Sequence, residues 1–89
     1  MLLNCIIINE ENSYTSLCLD VDVASEGETL IEAKNNLIEA VSLYIDTAIE
    51  SHLPIIRAVP DSENPAIISP EIITDRFNIK VNVDVEEYA

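Results

Sequence analysis

The sequence predicts an α+β fold: an antiparallel β-meander, one long helix packed on it, and a final strand beside the first. Three observations carry that prediction. Apolar residues alternate from Tyr14 to Val23, recur at helical spacing from Leu30 to about Ser51, and alternate again from Phe77 to Val85. A period of two sends side chains to opposite faces of a strand, whereas helical spacing gathers them on one stripe. The chain has 89 residues and reads as one domain, with a core over 2–52, a loop over 53–76 and a last strand over 77–85.

Leu2 to Ile8 is a continuous apolar run, the pattern of a central strand covered on both faces. Glu10 to Ser13 is a polar break. A two-residue Asn12-Ser13 turn would set Ile8 opposite Leu17 and Ile6 opposite Leu19. The predicted core face then holds Ile6 and Ile8 with Thr15, Leu17, Leu19, Val21 and Val23. Leu3, Cys5, Ile7 and Cys18 line the opposite face, a candidate oligomer or partner surface. Ala24 to Glu26 adds a short third strand. Gly27, the only glycine, stands between strand and helix, where such a residue ordinarily supplies a bend at positive φ.

Thr29-Leu30-Ile31-Glu32 is a capping box: the Thr29 hydroxyl accepts from the Glu32 amide and the Glu32 carboxylate reaches back. The helix it opens carries Leu30, Ala33, Leu37, Ala40, Val41, Tyr44, Ile45 and Ala48 on one stripe, widened by Ile31, Ile38 and Ile49. Glu32, Glu39, Asp46 and Glu50 lie on the far side, with Leu43 among them. Pro54 closes the helix. The stretch from Ile55 to Pro70 holds three prolines and reads as a loop with an extended piece at Ile55 to Val59. Ile67, Ile68, Ile72 and Ile73 are expected to dock on the body. In the last strand Phe77, Ile79, Val81, Val83 and Val85 point inward. That strand is expected to run parallel to the first, through a right-handed crossover.

Seventeen Asp and Glu against four Lys and Arg give a net charge of −13. Direct nucleic-acid binding needs a basic surface that displaces counterions, and Arg57, Arg76 and Lys80 are too scattered to make one. A strongly acidic surface attracts basic partners instead. A hydrophobic content of 48% separates this chain from disordered acidic tails. So thin a core favours a homo-oligomer. Cys5 and Cys18 fit no metal spacing and no CxxC motif, so reduced, packed thiols in a cytoplasmic protein are expected. The apolar N-terminus is too short for a signal sequence and lacks preceding basic residues, and no segment is long enough to span a membrane.

Several pieces resemble the HicB-like antitoxin family, the neutralising half of bacterial toxin–antitoxin pairs. Tyr14, Leu17 and Cys18 match its GYxALCP-type segment. VASEGETLIEA, from Val23 to Ala33, is similar to the family's GVASQGDTxEEA. NLIEAVSLYI, from Asn36 to Ile45, resembles NLxEAVxLYL, and IISPEIITDRFNIKV, from Ile67 to Val81, looks like the tail of short members. The usual Pro-Glu-Leu or Pro-Asp-Leu segment is replaced by Leu19-Asp20-Val21-Asp22. The resemblance implies a partial ribonuclease-H-like β-β-β-α-β domain. It also implies occlusion of a HicA-type toxin, a small basic RNA-cleaving protein. Longer members add a DNA-binding ribbon-helix-helix or helix-turn-helix domain. No such pattern lies in these residues, so autorepression by this chain alone is not expected.

Ribonuclease-H-type catalysis needs clustered carboxylates holding two divalent ions. Leu2 to Asn9 contains no acid, and Glu32 with Asp84 cannot form that site alone. Asp20, Asp22, Glu26 and Glu28 form an acidic run without EF-hand spacing, so a solvated face is expected rather than a metal site. His52 near the helix end reads as a dipole partner. Cys18 has no cation nearby in sequence to activate it. No catalytic, metal or cofactor residue is therefore expected. Gly27, Thr29 and Glu32 are structural candidates. Leu43, an apolar anchor ringed by Glu39, Asp46, Thr47 and Glu50, is the partner-contact candidate, with Asp20 and Asp22 as further acidic contacts. An antitoxin-like binding protein is the reading that results; an orphan homo-oligomeric module of the same fold is the alternative.

Overall fold

Four extended segments and one long helix make up the body of the computed structural model, which describes residues 1–82. Strands β1 (Leu2–Glu10), β2 (Ser13–Cys18) and β3 (Val23–Gly27) are followed by helix α1 (Leu30–Glu50). A short helix α2 (Pro65–Ile68) lies between two 3-10 turns, and β4 (Ile73–Lys80) ends the described fold. The sheet order is β3-β2-β1-β4, with every neighbouring pair antiparallel. The last strand therefore lies beside the first, as expected, but runs the other way. The expected Val83 and Val85 positions fall outside the described residues.

The path of the 51–72 connection explains the direction of β4. Helix α1 returns the chain to the end of the sheet where β2 turns into β3. There Arg57 N–H donates to Asp20 O and Val59 N–H to Leu19 O, both at 2.9 Å. The chain then climbs back along the second face of the sheet through α2. It enters β4 at Ile73, opposite Ile8, and descends to Lys80, opposite Leu2. A direct crossover through the helix alone would have given the parallel arrangement.

On β1 and β2 the helix covers the face opposite to the one expected, whereas Val21 and Val23 pack into the core as expected. Leu3, Cys5, Cys18, Val21 and Ile79 are buried against Leu37, Val41 and Ile45, with Phe77 and Val81 packed beside them. The proposed oligomer face of Leu3, Cys5, Ile7 and Cys18 is thus the main core. The β1–β2 turn lies at Glu11-Asn12, one residue earlier than Asn12-Ser13, so Ile6 rather than Ile8 opposes Leu17. That change leaves the shared faces intact, because a two-position slide preserves the alternation. The inversion has another cause: β1 is apolar on both sides, and Ser16 made the true core face of β2 look wet. Ser16 is fully buried, and its hydroxyl donates to Ala33 O at 2.8 Å. The other face is not bare either. Ile6 is buried there, as is Val59 of the connection. Pro65 and Ala66 of α2 are half-buried, while Ile67, Ile68 and Ile72, expected to dock, are exposed.

Residues 19–22 form a turn rather than a continuation of β2. Asp22 takes φ 52°, a left-handed conformation that Asp tolerates better than most residues. The Asp20 carboxylate accepts from Asn4 N–H at 2.6 Å and from Asn4 Nδ2 at 3.2 Å, which ties the turn to β1. Gly27 has no positive φ. Its role is close approach: a Cβ there would lie 2.4 Å from Ala33 N and 2.8 Å from the Glu32 carbonyl carbon. Thr29 caps the helix as expected, its hydroxyl accepting from Glu32 N–H at 3.1 Å, but among the described residues the Glu32 carboxylate makes no return bond to Thr29 N–H. The buried stripe is Ala33, Leu37, Val41, Ile45 and Ala48, while Ile31, Ile38 and Ile49 are exposed flanks.

Candidate protein-binding surface

The C-terminal half of α1 presents two features that meet at Thr47. The first is Leu43, 64% exposed on the side of the helix away from the sheet. Glu39 precedes it by four residues; Asp46 and Glu50 follow by three and seven, so all three share its face. All three are exposed. Among the described residues the one ion pair is Lys34–Asp75 at 3.7 Å, so this acidic rim has no cation within the described fold.

The second feature is an open cleft of about 330 Å³ lined by Tyr44, Thr47, Leu53, Pro54, Ile56 and Arg57. It exists because of how α1 ends. Ser51 caps the helix, and His52 follows at φ 56°. His52 N–H donates to Ile49 O at 3.2 Å, and Leu53 N–H to Ala48 O at 2.8 Å. This is a Schellman motif, which folds the chain back over the last turn. Tyr44 Oη then donates to Ile55 O at 3.1 Å, and the Arg57 guanidinium lies 5.3 Å from the centre of the Tyr44 ring. Leu53 and Ile56 are left exposed at 59% and 53% beside the cleft. The result is an apolar surface held in place by backbone bonds, with carboxylates along one side. Such an arrangement offers a socket for an apolar side chain and electrostatic attraction for a cationic surround.

The predicted contacts separate in the structure. Glu39, Leu43, Asp46 and Glu50 share one surface. Asp20 and Asp22 sit on the turn bonded to the Arg57 segment, at the same end of the molecule, but the Asp20 carboxylate is engaged by Asn4. Asp22 is exposed. The cleft residues Leu53 and Ile56 went unrecognised in the sequence; the visible signal was the apolar residues either side of Pro54. His52 contributes its left-handed backbone conformation to this turn.

A larger cleft of about 510 Å³ lies on the second face, lined by groups that include Asn4, Asp20, Asp61, Asn64, Arg76 and Asn78. Its Asn4 and Asn78 amides bond to each other at 3.0 Å. Among the described residues its lining also includes Cys5 and Phe77, and holds no hydroxyl or histidine. Among the described residues, no group of three or more His, Cys, Asp or Glu side chains is placed to hold a metal ion. No helix among them is long and apolar enough to cross a membrane. Comparison of the chain with family models, curated proteins and solved structures gives no significant match.

Proposed function

We propose that this chain is a non-catalytic antitoxin-like protein of HicB-like fold that binds and neutralises a small basic RNA-cleaving toxin of HicA type. The observation that carries the reading is the exposed acidic face of α1. It offers carboxylates without an internal cation, an apolar anchor at Leu43 and a preformed cleft beside it, on a chain of net charge −13. An enzyme that cleaves RNA must hold phosphates with cationic groups. A compact anionic surface competes for those same groups, and an apolar anchor supplies the desolvated centre that holds the complex. The sequence segments similar to HicB-like antitoxins support the identity of the partner. Cytoplasmic residence goes with this reading, since the toxin acts where RNA is.

The test is co-expression with a HicA-type toxin from the neighbouring gene, scoring growth and co-purification. Rescue of growth by the wild-type chain, lost in Leu43→Asp with the fold intact, supports the reading. Failure of a catalytically disabled toxin to bind the wild-type chain overturns it.

A second reading, an orphan homo-oligomeric module, is favoured by one observation: Ile67, Ile68 and Ile72 are exposed together around α2. Self-association through that patch would cover them. Light scattering distinguishes the cases, and a monomer at micromolar concentration rejects the oligomer.

A further inference from the structure

Cys5 of β1 and Cys18 of β2 stand directly opposite each other across the sheet. The neighbouring position is a hydrogen-bonded one, because Leu19 N–H donates to Asn4 O at 2.8 Å. The alternation of an antiparallel ladder then makes Cys5 and Cys18 a non-hydrogen-bonded pair. Cα atoms at such a site are about 4.5 Å apart with side chains on the same face, inside the range of roughly 4.4 to 6.8 Å that a disulfide spans. Both residues are free thiols, buried beneath α1 in the same core cluster. The register therefore places the two sulfurs where a disulfide can bridge them.

We propose that Cys5 and Cys18 are a modification site, closing to an intramolecular disulfide when the protein meets a hydroperoxide. The Cys18 thiolate attacks the terminal peroxide oxygen. The O–O bond breaks and an alcohol leaves with a proton, or water when the oxidant is hydrogen peroxide. The sulfenic acid formed on Cys18 is then attacked by Cys5 sulfur. The S–S bond forms, the S–O bond breaks, and the hydroxyl departs as water with the Cys5 proton. Two electrons pass from the two sulfurs to the peroxide. The Cys5 thiol donates to Leu3 O at 3.7 Å; its nearness draws the Cys18 thiol downward against the upward effect of burial, with the Asp20 and Val21 amides adding to that. Cys5 is pushed up, first by the neighbouring Cys18 sulfur and then by burial. Burial makes the first step slow and dependent on local opening. It also keeps the resolving thiol closer to the sulfenic acid than a second peroxide molecule.

The experiment treats the full-length protein with hydrogen peroxide in native buffer, then measures intact mass, free thiols in denaturant and a non-reducing peptide map. The expected product is a monomer lighter by two hydrogens, with both thiols lost, the Cys5 and Cys18 peptides joined, and full reversal by dithiothreitol. Closing so short a loop should raise Tm by roughly 10 °C. Cys5→Ala should instead accumulate oxygen on Cys18. Oxygen addition without cross-linking in the wild type, cross-links only between molecules, reaction only after unfolding, or a lower Tm on oxidation would each overturn the proposal. Every arm except the Cys5→Ala one uses the wild-type chain, so a variant that fails to fold does not decide the outcome.

Discussion

Replacing Gly27 by Ala tests how closely β3 and α1 meet. The added Cβ would lie 2.4 Å from Ala33 N, 2.8 Å from the Glu32 carbonyl carbon and 2.9 Å from Glu32 Cβ. Two of these atoms are helix backbone, so no side-chain rotation relieves the contact. The first turn of α1 must move outward by about 1 Å to restore ordinary van der Waals separation. Two bonds are strained by that movement. One is the Ser16 hydroxyl to Ala33 O, 2.8 Å and fully buried, where loss strands a polar group at a cost of about 1 to 3 kcal/mol. The other is the Thr29 cap on Glu32 N–H, worth about 1 kcal/mol. Together with overpacking, a loss of about 3 kcal/mol is expected, a large share of a small domain's stability. Urea denaturation of Gly27→Ala should show a lower midpoint with an unchanged slope, and Tm should fall by roughly 15 °C. A variant within about 0.5 kcal/mol of wild type would refute the close-approach reasoning. Ser16→Ala separates the terms, because it removes the buried hydroxyl without moving the helix.

Other predictions concern single positions. His52→Gly should stabilise the protein by about 0.5 to 1 kcal/mol, since glycine takes the left-handed Schellman position without steric cost; thermal denaturation reads it. Leu37→Ala, at a fully buried site on the helix stripe, should cost about 2 to 4 kcal/mol in chemical denaturation. Leu43→Asp should leave stability within about 0.5 kcal/mol, yet weaken binding of a basic partner by roughly tenfold or more in calorimetry. Raising salt from low to physiological levels should slow that association in stopped-flow measurements while changing the dissociation rate little.

The helix was legible because its apolar stripe, Thr29 cap and Pro54 stop agree with one another. Strand order was legible because hairpin patterns and an alternating last strand leave few arrangements. The helix-facing side of the sheet was not. Residues Leu3 to Ile8 are apolar on both faces, and the polar Ser16 satisfies its hydroxyl inside the core rather than in water. The direction of β4 depended on the route of residues 51–72, which no local periodicity records. Gly27 signalled a special backbone position, but its reason is the nearness of the first turn of α1, a tertiary fact. For the candidate surface, helical spacing alone brought Glu39, Leu43, Asp46 and Glu50 together. The cleft required a turn held by His52 and Tyr44, and residues far along a loop cannot be placed by spacing.

Strand β1 precedes the other described elements in the chain, yet it lies inside the sheet, with β2 on one side and β4 on the other. Its second neighbour emerges from the ribosome only with Ile73 to Lys80, nearly the whole described length later. Until then one margin of an Ile-rich strand stands open. Such sequence-distant pairing slows folding and leaves time for strand capture by other chains.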